Sequence, residues 1–385
     1  MKETIKTRIS DKLPELKKIN QYLFDFPEEG YQEYKAAKIL SEALINNGFD
    51  VTKGAYGIET AFRGVYKSKK EGPTVAFLCE YDALPDIGHG CGHNLIASIG
   101  LGAAFGLKSV IDDIGGTIVV LGTPAEETSG AKVEMVRQGA FDDVSFVMMA
   151  HPSALSEESG TSLALNALEF DYRGKPAHAA HSPDKGINAL DSVIFLFNGV
   201  NALREHVPST VRMHGIITNG GAAANIVPEH AVAQFYVRAP KKELRDEVTE
   251  KVIAIAEGAA KMAGSKMTYK YYEEPYDDLR TNQALSRVFN LNLLNLGEEQ
   301  IFQNASVRGS LDIGNVSQVV PTIHPWIGMA DASLVPHTRE FAEHTLTKKG
   351  IDALYKGSSA LAMTAYDVIV SDTLQREIKE EFEQK

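Results

Sequence analysis

The sequence predicts an α/β protein with a second, inserted α+β domain, and three observations predict it. Nearly all-apolar stretches at residues 74–79, 117–121 and 144–149 alternate with segments of helical periodicity, as in strands buried on both faces of a mainly parallel sheet. From residue 168 the order becomes strand–helix–strand–strand–helix–strand, the split βαβ order, and it runs to residue 276. Helix and strand then resume at Asn282, as if the chain returns to its first domain. The expected domains are 1–167 together with 277–385, and 168–276 between them. A chain of 385 residues suits two domains at roughly 100–200 residues each.

The elements follow from local pattern. Leu13, Leu16, Ile19 and Leu23 recur every three or four residues, which predicts an amphipathic helix over 9–24. Ala36, Ile39, Leu40 and Leu44 predict another over 33–47, stopped by Asn47-Gly48. Residues 60–66 and 74–79 read as strands, and 91–107 as a helix of small residues that can lie close on a sheet. A helix at 132–138 sits between the buried strands at 117–121 and 144–149. In the inserted domain the strands are 168–172, 211–218, 232–238 and 267–272, with helices at 188–203 and 241–262. Long helices close the chain after Thr347.

Composition excludes several functions. The net charge is −12, from 51 acidic and 39 basic residues. That argues against a binder of the phosphate backbone and against docking on anionic lipid. The two cysteines, Cys79 and Cys91, make no disulfide framework and suit a reducing compartment. Residues 1–20 have no apolar h-region. Residues 95–107 are about two-thirds of the length that spans a bilayer. A cytoplasmic protein, with no nucleic-acid or membrane partner, is the expectation.

No G-x-x-x-x-G-K-[ST], H-E-x-x-H or G-x-S-x-G motif occurs. Three other segments carry chemistry, and each follows a predicted buried strand. After 74–79 come Glu80-Tyr81-Asp82-Ala83-Leu84-Pro85 and Gly88-His89-Gly90-Cys91-Gly92-His93. A thiolate and an imidazole at such spacing suit zinc or a similar ion. After 117–121 come Glu126-Glu127, adjacent carboxylates that need a cation or a shared proton to coexist. One of them can ligate a metal while the other serves as general base, and the spacing does not rank them. After 144–149 comes His151-Pro152. Singly, each segment also reads as a capping or solvated feature. Together they bring Cys, His and Glu to one edge of one sheet, the edge where α/β folds bind ligands. The candidates exceed one tetrahedral shell, which favours two divalent ions with an activating water between them.

These motifs, in this order and spacing and over almost the whole chain, resemble the M20 family of metal-dependent peptidases and amidohydrolases. The resemblance is closest to the aminoacylase-like, hippurate-hydrolase-like and aminobenzoyl-glutamate-hydrolase-like branch. It implies a mainly parallel, zinc-peptidase-like catalytic domain interrupted by a ferredoxin-like lid that dimerises. It implies that Cys91 bridges two ions, that His93, Glu127 and His151 are further ligands, and that Glu126 is the general base. Asp82 resembles the carboxylate that orients a ligand histidine. In Val335-Pro336-His337-Thr338-Arg339-Glu340-Phe341, His337 resembles the last ligand, with His344 and His324 as rivals.

Within the lid, Gly174-Lys175-Pro176-Ala177-His178-Ala179-Ala180 resembles the segment whose histidine enters the partner's active site and donates to the oxyanion. His181 is its less favoured stand-in. Asn225 and Arg238 resemble the pair that grips the substrate carboxylate. Segment 309–317 resembles a pocket-lining loop of the same subgroup. Two departures stand out. The family's His-x-Asp at the first strand end is Glu80-Tyr81-Asp82 here, so Glu80 is not assigned as a ligand. Asn94 stands where relatives often carry Asp, which is expected to remove a charge beside a ligand histidine.

The implied reaction is hydrolysis of an amide bond in an N-acyl amino acid, a dipeptide or an aminobenzoyl-glutamate-like compound with a free carboxylate. A water bridging two ions would be activated by Glu126. Zinc or manganese are the implied ions, with nickel and cobalt as further candidates, and a homodimer or higher oligomer through the lid is the implied assembly. A paralogous chain is a further partner that the resemblance allows. The alternatives are a non-catalytic metal-binding or regulatory relative, and a cysteine hydrolase using Cys91.

Overall fold

A computed structural model describes residues 1–303 and 309–384. In chain order the first part comprises α1 (Lys2–Asp25), α2 (Tyr34–Asn46), β1 (Asp50–Lys53), β2 (Phe62–Lys67), β3 (Thr74–Cys79), α3 (His93–Ile114), β4 (Thr117–Gly122), α4 (Ala131–Arg137), β5 (Phe146–Met148) and β6 (His151–Ser153). The middle comprises β7 (Ala164–Arg173), α5 (Ala189–Leu203), β8 (Arg212–Asn219), β9 (His230–Ala239), α6 (Lys242–Ala263) and β10 (Lys266–Tyr271). The last part comprises α7 (Gln283–Asn295), α8 (Ile313–Ser317), β11 (Thr322–Ile323), β12 (Trp326–Gly328), α9 (Arg339–His344), α10 (Lys348–Ile369) and α11 (Asp372–Glu383). These separate into two compact units. One spans Met1–Thr161, Leu279–Val307 and Asp312–Lys385, and the other spans Ser162–Asp278 and Arg308–Leu311.

The first unit is built on a sheet of order β1-β2-β4-β3-β5-β11. β4, β3, β5 and β11 run parallel, because helical crossovers join them. β1 and β2 form an antiparallel edge against β4, so the sheet is mixed at one end. Every residue of β3 and β4 after the first is buried, as their apolar sequences require.

Helix α1 begins at Lys2, seven residues before the expected start, because Ile5 and Ile9 extend its buried stripe. Helix α3 also runs longer than its motif, to Ile114. It is long and apolar enough to cross a membrane, yet 89% of its apolar window is buried against β3, α1 and α10. Its glycines explain the close fit. A Cβ on Gly100 would lie 2.7 Å from Cys79 Sγ, and one on Gly106 would lie 2.6 Å from Ile9 Cδ1.

The second unit has a four-stranded antiparallel sheet of order β10-β7-β9-β8, the split βαβ topology. Strand β9 alternates strictly. Ala231, Ala233, Phe235, Val237 and Ala239 are buried, while Gln234, Tyr236 and Arg238 face the open side. Helices α5 and α6 cover the buried face with Val193, Leu196, Val248 and Val252. Full burial of each such side chain is worth about 1.5–3 kcal/mol. Strand β7 starts at Ala164 and helix α6 ends at Ala263, so both outrun the pattern read from sequence by a turn or less.

Candidate metal centre

Strand β3 lies between β4 and β5, and the chain leaves their carboxyl edge three times. The first exit carries Tyr81, whose hydroxyl donates to the Thr60 carbonyl at 2.7 Å. Next comes Asp82, which is buried and doubly engaged. Its Oδ1 lies 3.0 Å from His93 Nδ1, and its Oδ2 accepts the Glu127 backbone N–H at 2.9 Å. One carboxylate therefore fixes the His93 ring and the start of the Glu127 side chain. Burial works against charge on both partners, but their mutual attraction prevails. Asp82 is held below, and His93 well above, its ordinary pKa.

Between them the chain turns at Gly92 (φ +78°), where a Cβ would lie 2.5 Å from Pro152 Cγ. Glycine there lets Cys91 and His93 close on the third exit, which carries His151. His151 Nδ1 donates to the Pro152 carbonyl at 2.7 Å, which leaves Nε2 with the lone pair in the neutral ring. Burial, then the nearness of His324 and His93, push its pKa well down, so it stays neutral. His337 comes from the last part of the chain. Its backbone N–H donates to the Gly90 carbonyl at 2.9 Å, its φ is +63°, and Thr338 caps helix α9 directly after it. Its Nε2 lies 3.6 Å from Glu127 Oε1.

These side chains form three overlapping groups whose ligand atoms lie within 4.8 Å of one another: Cys91, His93 and His151; Cys91, Glu127 and His337; His93, Glu126 and Glu127. The donor set of N, S and O suits a divalent transition ion. The surroundings ask for positive charge. His93 Nε2 and Glu127 Oε1 are buried without a hydrogen-bond partner. Burial pushes the Cys91 thiol up. Enclosure, then the charges of Glu80, Glu127 and Asp312, push Glu126 well above the usual carboxylate range. A divalent cation relieves each of these tensions, so the residues fit the group.

Behind this cluster lies a buried ion network. Lys132 Nζ lies 2.6 Å from Glu80 Oε1 and 2.7 Å from Asp312 Oδ1. Burial disfavours the ammonium, but Asp312 and Glu80 more than restore it. Burial lifts Asp312 to about 6. Glu80 is thus committed to Lys132, with its other oxygen 3.6 Å from His93 Nε2.

The other sequence expectations fall as follows. Asn94 is adjacent to His93 in sequence but turns away. It donates to Asn20 Oδ1 and Thr345 Oγ1, both at 2.9 Å, so it ties α3 to α1 and to the turn after α9. His344 turns its Nδ1 to the Glu340 carbonyl, and His324 packs beside His151 and Trp326. In the second unit, His178 Nδ1 accepts from the backbone N–H groups of Ala180 and His181, so the neutral ring carries its proton on Nε2. The His178 segment bridges the strand-like turn after Asn225, whose carbonyl accepts from Ala179. Arg238 donates to Ser310 Oγ at 3.1 Å, stacks over Tyr236 and keeps a buried Nε without a partner. Of segment 309–317, Asp312 enters the Lys132 network and Ile313–Ser317 form α8. Sequence reasoning missed Glu33, Lys132 and Asp312. Each is an unremarkable charge in sequence, and only the fold buries it beside the cluster.

Residues 165–262 match the peptidase dimerisation domain family. The chain is 35% identical to the Xaa-Arg dipeptidase of Mus musculus over 402 residues, covering all of this chain and 93% of that protein. The human Xaa-Arg dipeptidase is 34% identical over 386 residues, covering 95% of this chain and 88% of that protein. One of the p-aminobenzoyl-glutamate hydrolase chains of Escherichia coli is 35% identical over 274 residues, covering 66% of this chain and 56% of that one. Among solved structures, an aminohydrolase from methicillin-resistant Staphylococcus aureus superposes with a TM-score of 0.80 at 18% identity, over 95% of this chain and 100% of that one. A dinuclear metal-binding M20 peptidase from Bacillus subtilis superposes with a TM-score of 0.69 at 17% identity, over 92% and 99%. Near-full-length identity to the dipeptidase, together with the matching fold, shows that the chain belongs to the M20 family of peptidases and amidohydrolases, hydrolases of carbon–nitrogen bonds.

Proposed function

We propose that the chain hydrolyses the amide bond of a small substrate with a free carboxylate, a dipeptide, an N-acyl amino acid or an aminobenzoyl-glutamate-like compound, with two divalent ions held by Cys91, His93, Glu127, His151 and His337. The observation that carries this reading is the convergence of those five side chains and Glu126 at one sheet edge, with His93 Nε2 and Glu127 Oε1 buried and unpartnered. Divalent ions there supply a Lewis acid for the scissile carbonyl and lower the pKa of water.

The chain's own groups do the rest. Asp82 holds the proton on His93 Nδ1 and fixes Glu127 from behind. Glu126, the one carboxylate of the pair outside the assigned ligand set, takes the water's proton and returns it to the leaving nitrogen. His178 presents an Nε2 donor to the developing oxyanion. Asn225 and the guanidinium of Arg238 hold the carboxylate.

The dimerisation-domain match supports pairing of the second unit with another copy, and in that assembly His178 serves the partner's site. The dipeptidase relative favours dipeptides as the first substrates to try. Two free thiols, Cys79 and Cys91, favour the cytoplasm. Glu126 argues against a non-catalytic relative, which has no need of a base.

The test is a metal titration followed by a substrate panel. Dialysis against Zn²⁺ or Mn²⁺ should leave about two ions per chain, and turnover should follow on dipeptides, N-acyl amino acids or aminobenzoyl-glutamate. Failure to retain metal would overturn the reading.

A further inference from the structure

Glu33 is fully buried at the start of α2, yet it does not cap that helix. Glu28 does that work, accepting the backbone N–H groups of Lys35 and Ala36 at 2.8 and 3.0 Å. Glu33 instead turns inward, where its Oε1 accepts the backbone N–H of Ala125 at 2.8 Å. Its Oε2 is buried without a hydrogen-bond partner.

Ala125 is itself unusual. It is buried and holds φ +57°, a left-handed conformation that residues with a Cβ seldom adopt. Its carbonyl accepts from Gly130 at 2.8 Å and Ser129 at 3.3 Å, so the peptide groups on both sides of it are pinned. Glu126 and Glu127 follow at once. The segment carrying Glu33 packs directly on this turn, since a Cβ on Gly30 would lie 3.0 Å from Ala125 Cα. It is also joined to the first strand exit, where Ala83 N–H donates to the Glu28 carbonyl at 2.8 Å.

We propose that Glu33 is a positioning residue for the hydrolytic site: by accepting the Ala125 N–H it holds the left-handed turn from which Glu126 and Glu127 project. It acts through the backbone and touches neither an assigned ligand nor the reacting atoms. A strained turn persists only where its surroundings over-determine it, and Glu33 is the side chain that does so here. Small displacements of catalytic groups are costly, so the effect belongs in kcat rather than in substrate binding. The inference rests on the reading of Glu126 as base and Glu127 as ligand, and its test separates the two.

The experiment uses the full chain as wild type, Glu33→Gln, Glu33→Ala and Glu126→Gln. It measures kcat and KM on a dipeptide and the visible d–d spectrum of the Co²⁺-loaded protein. Glu33→Gln keeps an amide oxygen for the Ala125 N–H and should stay within about three-fold of wild type, whereas Glu33→Ala should lose about ten- to hundred-fold in kcat with KM within about two-fold. The cobalt spectrum should shift in Glu33→Ala and match wild type in Glu33→Gln. Wild-type kcat and spectrum in Glu33→Ala, or equal losses in both Glu33 variants, would overturn the proposal. If Glu33→Ala does not fold, Gly30→Ala presses on the same turn from the same segment, first at Thr128 Oγ1 and then at Ala125 Cα and Cβ. A kcat loss with a spectral shift is then expected, and neither change would overturn it. Activity surviving in Glu126→Gln would remove the base assignment alone, because the cobalt spectrum reads ligand geometry without turnover.

Discussion

At the scale of single residues, Asp82 concentrates the design. It is bonded to the His93 ring and to the Glu127 backbone, two groups from different strand exits. Replacing it with Ala should cost about 10–100-fold in metal affinity or activity, read by competition with a chromophoric chelator. An unchanged affinity would mean that packing alone orients His93. Glu33 offers a pH-dependent test. Burial is the main cause of its rise to about 7, and the Asp82 charge adds to it against backbone hydrogen bonds that lower it. The Tyr81 hydroxyl also faces it. The folded state thus binds the proton more tightly than the unfolded chain, so stability contributed by protonated Glu33 is full below about 4.5 and is lost as pH rises through about 7. The Tm advantage of Glu33→Gln over wild type should therefore grow between pH 4.5 and 7 and then level off. A difference flat across that window would contradict the burial argument. That Asp82, Glu126, Glu127 and His151 gather at one sheet edge was legible in the sequence because each stands a few residues after a buried strand, whereas His337 was expected from the family resemblance alone. Glu33, Lys132 and Asp312 were not legible, because their partners Ala125, Glu80 and the Lys132 ammonium itself are 92, 52 and 180 residues away.

At the scale of elements, α3 shows how composition sets packing. Its glycines read as a helix meant to lie close on a sheet, and Gly100 does so against Cys79 and Leu78. Ala at that position gains about 0.5–1 kcal/mol of helix propensity but meets Sγ at 2.7 Å and the Leu78 carbonyl at 2.8 Å. The clash should win, leaving Gly100→Ala about 1–3 kcal/mol less stable in urea unfolding. A stabilised variant would show that α3 is free to move off the sheet. Element types were largely readable because buried strands and amphipathic helices have different periods. Their ends were less so. Helix α1 starts at Lys2 because Lys2 bonds Asn292 and Asp367, contacts from the far end of the chain. The short β1 escaped the pattern, since three of its four residues are exposed and it exists by pairing with β2.

At the scale of the whole molecule, the sequence order already showed an α/β unit broken by a split βαβ unit, because the period and order of elements change where the second unit begins. Pairing of copies is an expectation that only the family resemblance raised. Strand β8 is an outer strand of the second sheet, and Ile216 on it is 62% exposed. With the dimerisation-domain match, this predicts a dimer in sedimentation that Ile216→Lys shifts toward monomer. A monomeric wild type would refute it. Ions that bind only the folded state should add stability, about 2.7 kcal/mol at a hundred-fold excess over Kd. Chelator treatment should therefore lower the Tm, and Zn²⁺ or Mn²⁺ should restore it. The most direct measurement is hydrolysis across a panel of dipeptides, N-acyl amino acids and aminobenzoyl-glutamate by the metal-loaded protein, beside the same protein in EDTA and beside Glu126→Gln with its metal retained. The account predicts turnover in the first case, none in EDTA, and a loss of about 10²–10⁴-fold in the variant. Turnover that survives both EDTA and Glu126→Gln would contradict it.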